Sequence, residues 1–225
     1  MAPRIAVVTG FLPTPEAAVL SSVRSLVALG ARVALVGHAP DTIDWRDFRE
    51  HLGLTGIEAS EFHLLSSTER DHPQRLPIDD IFTADSCVID LDNADQFRFV
   101  ADLPVHTWPA ARLVGDLSRL STFSPPIARE ILERLDTVAG STTDTQWLGG
   151  DDRQVNLTAT FQEVMRTANL RLALIRDNQA LHLISRHESR FSEVGRTSPD
   201  LLALAAFATA TRLDFDATMH LASQG

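Results

Sequence analysis

Apolar runs and amphipathic stretches alternate along the first part of the chain. Ile5–Val8 is a short apolar run of the kind that forms a buried strand. Thr14-Pro15-Glu16 then reads as a helix start, with Thr as N-cap, Pro in the first turn and an acid near the positive end of the dipole. The predicted helix carries Ala18, Val19, Val23, Leu26, Val27 and Leu29 on one broad face and stops at Gly30. A second strand, Val33-Ala34-Leu35-Val36, follows within Arg32–Gly37, and Asp44–Leu52 has the period of a second amphipathic helix. This β-α-β-α order predicts a largely parallel sheet joined by crossover helices.

The stretch Thr83–Asp102 breaks the rhythm. Cys87, Ile89 and Leu91 alternate with Val88 and acids, Phe97 and Phe99 alternate with Gln96 and Arg98, and Asp92-Asn93-Ala94-Asp95 lies between as a turn signal. The expectation is a β-hairpin with one apolar face, acting as a lid, as a contact with a partner subunit, or as the domain's own edge. Farther on, the pattern predicts a strand at Arg112–Leu117, a helix capped by Ser124-Pro125-Pro126 and running to Leu135, a strand at Thr137–Ala139, and helices at Thr142–Leu148 and Asn156–Ala168. Leu170–Ile175 and Ala180–Ser185 form a strand pair around Arg176–Gln179, and Asp200–Thr211 and Asp214–Ser223 are closing helices.

Composition narrows the function classes. At 225 residues and 44% hydrophobic content the chain suits one soluble domain. No apolar run approaches the ~18–20 residues of a membrane span, and the N-terminus runs straight into a strand rather than a signal peptide. Cys87 is the single cysteine, which excludes an internal disulfide and makes a cytoplasmic location the expectation. All 20 basic residues are arginine. With no lysine there is no Schiff base and no P-loop lysine. The net charge is −10 and basic residues do not cluster with aromatics, so neither nucleic acid nor membrane is expected as a partner. His182 and His187, or His63 and His72, lack the spacing of a helical metal-ligand pair, and no metal site is expected.

The candidate chemistry lies at Ser198-Pro199-Asp200, just before the small-residue helix Leu201–Thr211, with further acids and bases at Asp144 and Arg176. An Asp opening a helix is favoured by the macrodipole alone, and it is also well placed to act as a general base. Asp144 reads equally as a first-turn helix acid, and Arg176 as a solvated turn arginine.

The order of motifs is similar to that of the PfkB/ribokinase family of carbohydrate kinases over some 200 residues. It rests on Leu29-Gly30 before Arg32–Gly37, on Leu52-Gly53-Leu54-Thr55-Gly56-Ile57, on Leu135-Asp136-Thr137-Val138, and on Asp200 before its small-residue helix. The resemblance implies a ribokinase-like three-layer αβα sandwich with a mainly parallel sheet. Residues 1–225 would form one domain, with 83–102 a small β-clasp lid and the 86–100 hairpin a homodimer contact. It implies Asp200 as catalytic base, with Asp144, Arg176 and Ser198 near the nucleotide, and ATP and Mg²⁺ as cosubstrate and metal of an active member.

The departures from the family pattern are systematic. The family's Gly-Gly pair and Asn of the sugar site fall on Glu16-Ala17 and Ser21. The Asn-x-x-Glu motif becomes Ser141-Thr142-Thr143-Asp144, and the glycine phosphate cradle becomes Ser198-Pro199, where Pro199 lacks an N–H. Two functions therefore stand. One is a kinase homologue that has lost phosphotransfer and acts by binding, whether by holding a sugar-like ligand, regulating a true kinase or assembling with itself through the hairpin, with no cofactor. The other is an active ATP-dependent carbohydrate or nucleoside kinase with Asp200 as base. A resemblance confined to the fold would leave the site unrelated. A cleft roofed by the 86–100 hairpin and floored by Asp200 would favour kinase ancestry.

Overall fold

A computed structural model of the chain describes residues 1–11, 18–39, 61–66, 81, 83–91, 93–102, 112–148, 156–178, 180–193 and 200–223. Among the described residues, nine strands form one sheet in the order β3-β2-β1-β4-β5-β6-β7-β8-β9. They are β1 (Arg4–Phe11), β2 (Arg32–Ala39), β3 (Glu61–Ser66), β4 (Ser86–Asp90), β5 (Arg112–Asp116), β6 (Thr137–Ser141), β7 (Leu172–Asp177), β8 (Ala180–Ser185) and β9 (Ser189–Glu193). Pairing is parallel from β3 through β7, and β8 and β9 are added antiparallel.

The two faces of the sheet follow from the two-residue repeat of a strand. Ile5, Val7, Val33, Leu35, Val88 and Val114 point to one side. There they meet α1 (Ala18–Ala28), α6 (Leu201–Thr211) and α7 (Phe215–Ser223). Ala6, Val8, Cys87, Ile89 and Leu113 point to the other side and meet α2 (Ala94–Asp102), α3 (Leu117–Leu120), α4 (Pro125–Leu132) and α5 (Leu157–Thr167). The result is the expected αβα sandwich. Helix α6 is buried almost all round, from Leu202 through Ala206. Its alanines let it lie close on the sheet, and Ser86 Oγ donates to its Ala206 carbonyl at 3.1 Å.

Local signals explain most boundaries. Helix α1 ends at Gly30 with φ +87°, where Gly30 N–H donates to the Val27 carbonyl and Ala31 N–H to that of Leu26. Only glycine takes this left-handed turn without strain. Ser124 precedes the two prolines that open α4, and Asn156 caps α5 by accepting from Ala159 N–H at 3.1 Å. Asn178, with φ +33°, turns the chain between β7 and β8.

One expectation is overturned. Residues 83–102 form no hairpin and no lid. Ser86–Asp90 is the fully buried strand β4, paired parallel with β1 on one side and β5 on the other. Ala94–Asp102 is helix α2, started by Asn93, whose Oδ1 accepts from the N–H groups of Asp95 and Gln96. A strand buried on both faces reads as a short apolar run, and Cys87-Val88-Ile89 is one, flanked by Ser86 and Asp90. Asn93 is a helix cap rather than a turn residue. Ile89, Leu91 and Phe97 are fully buried within this single chain, so they cannot supply the two-fold contact expected of them. Strand β9 was not anticipated either. It is largely exposed, with Phe191 76% accessible, and has no apolar alternation to announce it. The helix expected at Asp44–Leu52 lies outside the described residues.

Candidate functional site

A cleft of about 570 Å³ opens at the carboxyl ends of β4, β5 and β6. The chain runs from β1 outward to β2 and β3, then returns to place β4 on the opposite side of β1. Ligands of open α/β sheets bind beyond the strand carboxyl ends at such a reversal.

Each strand delivers a carboxylate to the cleft or sits beside one. Asp90 ends β4, is nearly buried, and pairs with Arg119 Nε at 2.5 Å. Asp116 ends β5 and caps α3, its Oδ1 accepting from Ser118 N–H at 2.8 Å. Burial pushes the Asp116 carboxyl above its ordinary pKa. The Ser118 bonds oppose that shift, and the charges of Asp90 and Asp144 add to it. Asp144 stands in the first turn of a 3₁₀ helix, Thr143–Leu148, and its Oδ2 accepts from Ser141 N–H at 2.8 Å and Ser141 Oγ at 2.6 Å. The bare backbone of Gly140 makes this packing possible. A Cβ there would sit 2.7 Å from Leu117 Cβ and 3.3 Å from Asp144 Oδ2.

Two further elements close the site. Arg176 lies on β7 opposite Ser141 of β6, and its carbonyl accepts from Thr142 N–H at 2.9 Å. Asp200 is the N-cap of α6. Its Oδ1 accepts from Ala203 N–H at 3.0 Å and its Oδ2 from Ser22 Oγ of α1 at 2.9 Å. Asp200 therefore ends one helix and clasps another.

Three of the sequence candidates, Asp144, Arg176 and Asp200, line this one cleft. Ser198 lies outside the described residues. Ser21, which stands at a sugar-site position of the family pattern, is exposed, and its buried neighbour Ser22 faces the cleft instead. Sequence reasoning missed Asp90, Asp116 and Arg119. Asp116 directly follows the apolar run Leu113-Val114-Gly115, so a strand-terminal acid was readable there. Asp90 was hidden by the hairpin assignment. The cleft is not roofed by residues 86–100, since β4 contributes to its floor. Among the described residues, four carboxylates and two guanidiniums line it. Such a set offers many acceptors to ligand hydroxyls and an excess of negative charge. Among the described residues no three His, Cys, Asp or Glu side chains are grouped to hold a metal ion.

No protein-family model matches the sequence, and no curated protein matches it. Solved structures do resemble it. Adenosine kinase from Schistosoma mansoni, in complex with adenosine and AMP, superposes with a TM-score of 0.66 at 10% identity, covering 98% of this chain and 93% of that one. Ribokinase from Thermotoga maritima gives 0.65 at 10% identity, covering 96% and 89%. A nucleoside kinase from Methanocaldococcus jannaschii, an archaeal member of the ribokinase family, gives 0.64 at 9% identity, covering 99% and 90%. The chain has the ribokinase-like fold. Among its described residues no helix is long and apolar enough to cross a membrane.

Proposed function

We propose that this protein is a ribokinase-fold binding protein whose cleft takes a polyhydroxylated, sugar-like ligand and no longer transfers phosphate. The observation that carries the reading is the charge balance of the cleft. Among the described residues, four carboxylates against two guanidiniums oppose a bare polyphosphate and suit a neutral polyol. The Ser198-Pro199 replacement of a glycine cradle removes a backbone donor in the same direction. Both Asp200 oxygens are tied to the scaffold, Oδ2 accepting from the hydroxyl of Ser22 while Oδ1 caps α6, and each keeps a lone pair that can accept from a ligand hydroxyl.

One observation favours the second reading, an active kinase. Asp200 faces the cleft at the N-terminus of an eleven-residue helix, where positive dipole and developing charge would meet. The described carboxylates make no preformed cage, so Mg²⁺ would enter on ATP, with Asp144 and Asp200 as the acids facing it. The metal would neutralise phosphate charge there.

The deciding experiment incubates the purified protein with MgATP and a panel of pentoses, hexoses and nucleosides, and follows sugar-dependent ADP release. The binding reading expects none above background. Turnover with any panel member, abolished in Asp200→Asn, overturns it in favour of the kinase.

A further inference from the structure

A second cavity lies at the opposite, N-terminal edge of the sheet. It holds about 270 Å³ and is bounded by the first residues of β5, β6 and β7 and by the end of α6. Among the described residues, Arg112, Arg171 and Arg212 line it against one carboxylate, Asp136. We propose that this pocket binds a phosphate-bearing small molecule.

The charge balance argues for an anion. The described lining carries a net charge of +2 (three guanidiniums less one carboxylate) in a chain whose overall charge is −10. The guanidiniums repel one another. Burial, then Arg212 and Arg171, hold the Arg112 guanidinium below the usual arginine range, and Asp136 opposes that only in part. Asp136 is already engaged. Its Oδ2 accepts from Leu113 N–H at 3.0 Å, and its Oδ1 stands 3.7 Å from Arg171 Nε. The neighbouring Asp214 caps α7 through Ala217 N–H. A phosphomonoester dianion closes the remaining charge, and guanidiniums match its oxygens in paired geometry.

A purely structural role covers only part of the cluster. Arg112 Nη1 reaches the Thr209 carbonyl at 3.4 Å, which answers the negative end of α6. Arg171 and Arg212 are not needed for that. Arg212 also occupies the C-cap of α6 with φ +56° and ψ +41°, a conformation that favours glycine. Phe215 and Leu213 supply an apolar wall, and the Thr137–Thr209 hydroxyl pair, 2.9 Å apart, adds polar character. The pocket can therefore take a small organic group attached to the phosphate.

The test is calorimetric titration of the full chain with glycerol 3-phosphate and with inorganic phosphate at constant ionic strength. It compares wild type with Arg212→Gly, Arg171→Gln and Arg176→Gln. Arg212→Gly relieves the left-handed backbone, so that variant folds. The expected result is saturable binding, weakened at least about tenfold (~1.4 kcal/mol) in Arg212→Gly and Arg171→Gln and unchanged in Arg176→Gln. Tighter binding of the ester identifies an organic phosphate as occupant, and equal affinity identifies the free anion; either supports the site. No saturable heat from either probe, equal affinity in wild type and both pocket variants, or loss only in the cleft variant Arg176→Gln overturns it.

Discussion

Asp200 shows how a structural duty and a chemical one can sit on the same two oxygens. As an N-cap it should be replaceable by Asn, whose carbonyl accepts the same Ala203 bond. Asp200→Ala is expected to cost about 1–2 kcal/mol in a urea unfolding curve, and Asp200→Asn to stay close to wild type. Equal losses in both would show that the charge, rather than the cap, is what α6 needs. Asp116 makes the opposite case, because burial raises its pKa above the ordinary 3.8. A carboxyl raised on folding leaves stability at its fullest below that ordinary value. Stability is then lost as pH rises through the folded value, when the buried group ionises. Asp116→Asn keeps an acceptor for Ser118 N–H and removes that ionisation. The variant should therefore be more stable than wild type at neutral pH and indistinguishable from it below the ordinary carboxylate value. A variant less stable at pH 7 would mean that the charge of Asp116 holds Arg119 or a neighbour in place.

At the scale of elements, the legible parts were those with strong local chemistry. Gly30 closed α1 by taking its left-handed turn, two prolines opened α4 by lacking N–H groups that would go unpaired there, and Asn156 opened α5 by accepting from Ala159 N–H. The failures came where a pattern is ambiguous without tertiary context. The run 86–90, apolar at Cys87, Val88 and Ile89, suits an alternating hairpin arm or a central parallel strand, and the pairing partners β1 and β5 decide between them. Phe97 and Phe99 also fit either a strand or a helix. In the fold Phe97 lies inside α2 against Phe123, with ring centroids 6.2 Å apart in an edge-on arrangement. Phe97→Ala is therefore expected to cost about 3–5 kcal/mol of folding stability. The measurement is chemical unfolding alongside light scattering. A variant of unchanged stability with an altered oligomeric state would restore an interface role to this residue.

On the scale of the whole molecule, the cleft is assembled from residues far apart in the chain. Ser22, Asp90, Asp116, Asp144 and Asp200 come from α1, β4, β5, the 3₁₀ helix and the start of α6. Asp144, Arg176 and Asp200 were legible because Asp144 and Asp200 stand at helix starts and Arg176 directly follows the apolar run Leu172–Ile175. Asp90 and Asp116 emerge as partners only when the parallel sheet aligns its strand ends. A ligand that spans these elements binds the folded state alone, so its affinity appears as stability. At a hundredfold excess over Kd it adds about 2.7 kcal/mol. For a domain of this size that corresponds to a rise of roughly 5–10 °C in Tm. A sugar-like ligand is expected to produce such a shift without nucleotide, and ATP without Mg²⁺ to produce none, because the excess carboxylates repel its phosphates. Replacing Asp116 or Asp144 by Ala should erase the sugar shift. Stabilisation by MgATP alone, lost in Asp144→Ala, would instead place the nucleotide in this cleft and argue for phosphotransfer.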